Sequence, residues 1–500
     1  MNLVGVDIGT QGVKAALYSG EGECRAEAFE VSQPRHPAPG RVEEDPEFQF
    51  ASACRVIQEC IRKSNTHDVA AIGIAGQMAG VIGVDADGRA ITPYDSWLDT
   101  QCSGEITRMH GAAGDTVLRL TGNAPSFNHG PKILWWQSER PADYARIAKF
   151  VQPAGYVALR LCGLGANEAF IDTSYLHFSG FADNSAKRWD LGLCSTFDVS
   201  PEKLPRIVEP SAHVGKLTAL FSDDCGLPAG TPIVAGCGDT AASFLSCGAT
   251  APGICVDVAG TASVFAATTD AFAPDIHGGM LGYGRSVTPG LWHPYAYVNG
   301  GGMNLEWFRR EFGGQRITFE ELDCLAGGIE PNDTLPLFVP HLGGRVSPPW
   351  PALRGAWVNL TWDHTPAEMF RAVLEGVALE YALYQQALRS LLPEAAFTEL
   401  RVTGGGERSA VWNQIKADAL QMPIVQIEGG GGAAAGAAML AAVSVKIFPD
   451  PHTAAKRWVR FGKRFLPDPV KATYYQQRAV RYNALLQALN HWATRPLSSI

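Results

Sequence analysis

The sequence predicts an α/β protein made of two related halves. Its 500 residues exceed what one hydrophobic core usually supports. A strand, Gly-Thr corner, strand unit occurs twice, as "VGVDIGTQGVKAAL" at 4–17 and "ICVDVAGTASVFAAT" at 254–268. Gly9-Thr10 and Gly260-Thr261 lie 251 positions apart, the spacing of an internal duplication. The third observation is the order of elements in the first hundred residues: strands, one helix, then strands again.

"LVGVDIG" and "VKAALYS" read as a hairpin, and "CRAEAFEVS" as a third antiparallel strand. "DPEFQFASACRVIQECIRKSN" carries helical apolar spacing, with Asp45 as N-cap and Pro46 in the first turn. "VAAIGIAGQ" and "AGVIGVDADG" are strand-like runs. This order differs from a Rossmann beginning, and neither G-x-G-x-x-G nor G-x-x-x-x-G-K-[ST] is present. The second half echoes the first again at 399–407, where "ELRVTGGGE" resembles "VAAIGIAGQ" at 69–77. "SCGATAPG", residues 246–253, reads as the connector, so the expected domains are residues 1–248 and 249–500.

With 46% hydrophobic and 18% charged residues, the composition is that of an ordinary globular protein. A net charge of -9 argues against a nucleic-acid partner, which needs a clustered basic face. The Met1 end enters a strand without a basic region or an apolar leader, so no signal peptide is expected. "GAAAGAAMLAAV" at 432–443 is too short for a membrane span, and close helix packing explains its glycines best. Eleven cysteines without a CxxC pair fit reduced thiols and a cytoplasmic protein.

A tight turn without β-carbons lets backbone N–H groups converge on phosphate oxygens, and a Thr hydroxyl adds a donor. Two such corners from facing halves, Gly9-Thr10-Gln11 and Gly260-Thr261, suit a polyphosphate between them. Asp7 ends the first strand, where a carboxylate can hold magnesium through its waters. Two further glycine clusters each open a helix: Gly300 to Gly302, and Gly404 to Gly406 with Ser409 following. Three consecutive glycines exceed what a helix-entry turn requires, and they leave room for a flat ligand. "VAGCGDTAASF" at 234–244 sets Asp239 after a strand, opening a helix, as an N-cap or as a general base.

These residues resemble the FGGY family of carbohydrate kinases, which has the two-domain actin/Hsp70-like (ribonuclease H-like) ATPase fold with an interdomain cleft. "DIGTQGVK", "AGTAS" and "TGGGERSAVWNQIKAD" are similar to its two phosphate loops and its adenosine segment. "PHLGGRVSPPWPALRGAWVNLTWDHT" resembles the signature before its long C-terminal-domain helix. Within the family, "GIAGQMAG" and "SWLDT" are most similar to xylulokinases.

The resemblance implies ATP and Mg2+ as cofactors, a sugar as substrate, and a weak expectation of a homodimer. It implies that the first domain holds sugar and phosphate and the second the nucleotide. Asp239 would be the general base, and Asp7 and Asp239 would face the metal. Gly9, Thr10, Gln11, Gly260, Thr261, Gly302, Gly405, Gly406 and Ser409 would line the nucleotide site. Gln77, Met78, Ala79, Trp97, Asp99 and Asp239 would line the sugar site, with Asp99 accepting hydroxyl hydrogens. D-xylulose is the first expected substrate, another ketose or polyol the second, and a partner-switching ATPase a distant third. Three departures bear on the sugar: Ala79 stands where a His is usual, Gln101 where an Arg is, and Gly343-Gly344-Arg345 lacks the signature's Glu.

Overall fold

A computed structural model describes residues 1–313, 317–429 and 432–495. The first sheet contains β1 (Asn2–Ile8), β2 (Gly12–Ser19), β3 (Cys24–Val31), β4 (Val69–Gly76), β5 (His213–Lys216) and β6 (Pro232–Gly238). Its order is β5-β6-β4-β1-β2-β3. β1, β4 and β6 run parallel, while β2 and β3 form the antiparallel hairpin side.

The second sheet contains β7 (Ile254–Ala259), β8 (Ser263–Ala267), β9 (Gly282–Arg285), β10 (Trp292–Val298), β11 (Glu399–Thr403), β12 (Ile424–Glu428) and β13 (Arg460–Phe465). Its order is β9-β10-β8-β7-β11-β12-β13. The run β10-β8-β7-β11-β12 repeats β3-β2-β1-β4-β6 in order and in direction. This is the two-domain actin/Hsp70-like arrangement. Parallel strands put their C-terminal ends on one edge, so each half offers one rim for ligands.

Helix α1 (Pro46–Ser64) covers the first sheet, with Asp45 as N-cap accepting from the Glu47 N–H and Pro46 at the first position. α2 (Asp239–Ser246) follows β6, and α3 (Gly301–Phe312) follows β10. α4 (Pro366–Leu391), α5 (Ala410–Leu420) and α7 (Pro469–Thr494) pack together on the second sheet. α6 (Gly432–Ser444) belongs to the second half by sequence yet lies on β1 and β4 of the first.

That crossing explains glycines inside strands. A β-carbon on Gly5 would stand 1.8 Å from the Ala434 carbonyl oxygen, and one on Gly73 2.0 Å from that of Ala437. Gly436 approaches α2 as closely, with 2.1 Å from its missing β-carbon to the Ala242 oxygen. The Gly/Ala-rich stretch is therefore packing surface from Gly432 onward, while Gly430 and Gly431 lie outside the described residues. One expectation changes. "AGVIGVDADG" contributes only the short strand Ile82–Val84, which pairs with Lys149–Val151 away from the main sheet. Residues 101–210 form a helical lobe inserted between β4 and β5. Among the described residues no helix is long and apolar enough to cross a membrane.

Candidate active site

Three neighbouring strand ends of the first half converge. β1 delivers Asp7, β4 runs into Gln77-Met78-Ala79, and β6 runs into Asp239. β4 lies between the other two, so Gln77 sits between the carboxylates, its N–H bonded to the Ile8 carbonyl at 2.9 Å. Tyr175, from the inserted lobe, donates its hydroxyl to the Gly76 oxygen at 2.9 Å and braces this rim.

Asp239 is the first residue of α2, with Gly238 as the N-cap. Its carboxylate accepts from the N–H of Thr240 at 2.6 Å and the Thr240 hydroxyl at 3.2 Å. Burial pushes its pKa up to about 6, against those two hydrogen bonds. Asp7 is pushed further, to about 8, first by burial and then by the charge of Asp239, with Lys14 pulling the other way. Lys14 itself pairs with Glu27 at 2.7 Å. The Asp7 Oδ1 is buried without a hydrogen-bond partner. Two carboxylates and an orphaned oxygen fit a hard divalent cation, which Mg2+ would satisfy with few protein ligands and several waters.

Before the second corner, Val258 stands where Asp7 stands before the first. Asp257 lies three residues before its Gly-Thr corner, whereas Asp7 lies two before its own. One residue of offset turns a strand side chain to the opposite face. Asp257 accordingly points into the core, pairing with Lys416 at 2.5 Å and accepting from Tyr381 at 2.6 Å.

Both corners are tight turns, the second shorter by one residue: the Gly9 N–H bonds the Gly12 carbonyl, and the Gly260 N–H that of Ala262, both at 3.0 Å. They meet across the cleft, where Gln11 Nε2 donates to Thr261 Oγ1 at 3.2 Å. α3 docks on the second corner: the Gly302 and Met303 N–H groups donate to the Gly260 and Thr261 carbonyls at 3.0 and 3.1 Å. A β-carbon on Gly302 would lie 2.4 Å from the Gly260 oxygen, so its glycine serves this docking.

The adenosine-segment glycines do three jobs. Gly404 holds a positive φ of 89°, and Gly406 packs where a β-carbon would meet Trp412 at 2.7 Å. Gly405 faces open space. Ser409 is the N-cap of α5, accepting from the Trp412 N–H at 3.0 Å.

On the sugar side, Met78 packs on Gly238, and Ala79 holds a left-handed φ of 64°. Trp97 is half-buried and donates its indole N–H to Thr10 Oγ1 at 2.9 Å. Asp99, expected to accept sugar hydroxyls, is instead fully buried. Its oxygens accept from the Val42 and Gln101 N–H groups at 2.8 and 3.0 Å, with Lys132 at 3.8 Å. That carboxylate anchors the loop carrying Trp97. Gln101 reaches Asp95 at 3.4 Å, a buried carboxyl pushed up to about 7 by burial. Glu44, Tyr175 and Asp95 carried no signal in the sequence, because each is placed by tertiary contacts.

Residues 2–246 match the FGGY family of carbohydrate kinases, N-terminal domain, and residues 255–445 its C-terminal domain. The chain is 28% identical to the xylulose kinase of Escherichia coli (strain K12), over 97% of this chain and 99% of that one. It is 26% identical to the gluconokinase of Bacillus subtilis (strain 168), over 88% and 86%. The xylulose kinase structure from Rhodospirillum rubrum superposes with a TM-score of 0.90 at 26% identity, covering 99% of this chain and 100% of that one. The chain belongs to the FGGY family of carbohydrate kinases, phosphotransferases that act on sugar hydroxyls with ATP.

Proposed function

We propose that the protein transfers the γ-phosphate of ATP to D-xylulose, giving D-xylulose 5-phosphate. The observation that carries this reading is the meeting of Asp7, Gln77-Met78 and Asp239 on one rim, facing the second Gly-Thr corner. Asp239 accepts the proton of the attacking hydroxyl as its oxygen bonds to phosphorus. A pKa near 6 leaves it ionised at neutral pH and still basic enough to take that proton. Asp7 and Asp239 would hold Mg2+, which would supply positive charge to the phosphates. Thr10, Thr261 and the corner N–H groups cradle the phosphates, and Gly405 leaves a place for the nucleoside. Trp97 and Met78 give the sugar an apolar wall.

Residues 1–248 and 249–500 are taken as two bodies that close around the ligands. An acidic cytoplasmic enzyme with small-molecule partners fits the composition, and a homodimer rests on family likeness alone. Ala79 supports a second reading, in which another ketose or polyol is preferred, because a methyl cannot hydrogen-bond a sugar hydroxyl. A coupled ADP-release screen over ketopentoses, ketohexoses, polyols and aldonates separates the two. Highest kcat/KM with D-xylulose supports the first reading, and a better ketose or polyol the second. A preference for an aldonate overturns both.

A further inference from the structure

The rim holds a chain of hydrogen bonds that phosphoryl transfer does not itself require. It begins at Glu44, which is 4% exposed, on the short strand Glu43–Glu44 paired with Tyr94–Asp95. Glu44 Oε2 accepts from Gln49 Nε2 of α1 at 3.1 Å, and Oε1 from Gln77 Nε2 at 3.0 Å. Gln77 Nε2 also donates to the Gly9 carbonyl at 3.3 Å. Both Gln77 amide hydrogens are thereby engaged, and its Oε1 accepts from the Thr10 hydroxyl at 3.4 Å. Thr10 Oγ1 in turn accepts from the Trp97 indole at 2.9 Å.

Both Glu44 oxygens accept amide hydrogens, so Glu44 dictates the direction of every bond after it. The Gln77 amide cannot turn over without setting its oxygen against the carboxylate. A hydroxyl has one hydrogen, and a phosphate oxygen also only accepts. The Thr10 hydrogen is therefore contested between Gln77 Oε1 and phosphate, on the same oxygen that Trp97 touches.

We propose that Glu44 is a positioning residue that orients the Thr10 hydroxyl through Gln77, so that this hydroxyl couples sugar at Trp97 to phosphate and keeps sugar-free ATP hydrolysis low. The proposal rests on the reading of Trp97 as sugar wall and Thr10 as phosphate ligand. With no sugar against the indole, the hydrogen stays on Gln77. A sugar seated there displaces the indole, and the hydroxyl turns to the phosphate.

The test is the ratio of sugar-free ATP hydrolysis to phosphate transfer to D-xylulose, or to the preferred sugar of the screen. It is measured at saturating sugar in Glu44→Met, in Trp97→Phe and in the double variant. Glu44→Met keeps the length of the side chain and removes both carboxylate acceptors, so the Gln77 amide is left with the Gly9 carbonyl alone and can turn over. The variant should fold, which circular dichroism checks. Each single variant should raise the ratio about two- to tenfold, the effect of one neutral hydrogen bond. The double variant should raise it no further than the larger single one, because both break one chain. A merely structural role lowers hydrolysis and transfer together and leaves the ratio unchanged. An unchanged ratio, or effects that multiply, overturns the relay while the kinase reading stands. No transfer to any sugar by the unmodified protein overturns both.

Discussion

Asp7→Asn should stabilise the protein free of divalent cations while removing its activity, and the stabilisation should grow with pH. The Asp7 carboxyl has its pKa raised from 3.8 to about 8 by burial and by Asp239. A raised carboxyl pKa means that the folded state binds the proton more tightly than the unfolded chain does. Below the unfolded value both states are protonated, and the residue costs nothing. As pH rises towards 8 the unfolded chain ionises and the folded one resists, at about 1.4 kcal/mol per pH unit. The ceiling is roughly 5 kcal/mol, and water entering an open cleft reduces it to about 2 kcal/mol. Asparagine does not ionise, so it escapes this cost. Guanidinium midpoints of both proteins, measured in a chelator at pH 5 and pH 8, give the comparison. A stabilisation that is absent at pH 8, or equal at both pH values, refutes the electrostatic account of Asp7.

Mg2+ should bind more tightly as pH rises from 6 to 8, because it takes the ionised carboxylates and releases their protons. Calorimetric titration across that range should show up to about tenfold per pH unit, and a pH-independent affinity contradicts it. Gly5→Ala should cost about 1–3 kcal/mol or more, because its methyl meets the Ala434 carbonyl; an unchanged melting midpoint contradicts the contact between α6 and β1. Ala79→His should lower KM for D-xylulose roughly three- to tenfold by adding a hydrogen bond. Histidine tolerates the left-handed backbone better than most residues, so folding should survive. A raised KM for D-xylulose in a folded variant removes position 79 as a specificity switch.

The duplicated Gly-Thr corners were legible because glycine and strand alternation are local signals, and both corners fold as the spacing suggests. The helix from Pro46 was legible for the same reason, its cap written in adjacent residues. The lobe at 101–210 was not, since most of its helices bury their apolar faces in a core of their own, whose members such as Met109, Ile133, Phe150 and Phe197 come together only in the folded chain. Asp99 shows the limit most plainly. Its place in "SWLDT" is readable, but the Val42 and Gln101 N–H groups that engage its carboxylate come from the folded loop. Gly5 of β1 and Gly73 of β4 read as ordinary strand residues, and only α6 crossing from the other half explains them. Glu44 was silent in "RVEED" because its meaning lies in Gln77, 33 residues away.

The central claim is that Asp239 is the base for phosphate transfer to a sugar on this rim. Asp239→Asn keeps the shape and the Thr240 contacts while removing the basic oxygen. Steady-state transfer to D-xylulose, or to the preferred sugar of the screen, should fall about 10²–10⁴-fold in kcat, with ATP affinity measured by calorimetry little changed. A variant that keeps more than about a tenth of the original kcat falls below the base-catalysis range and contradicts the account.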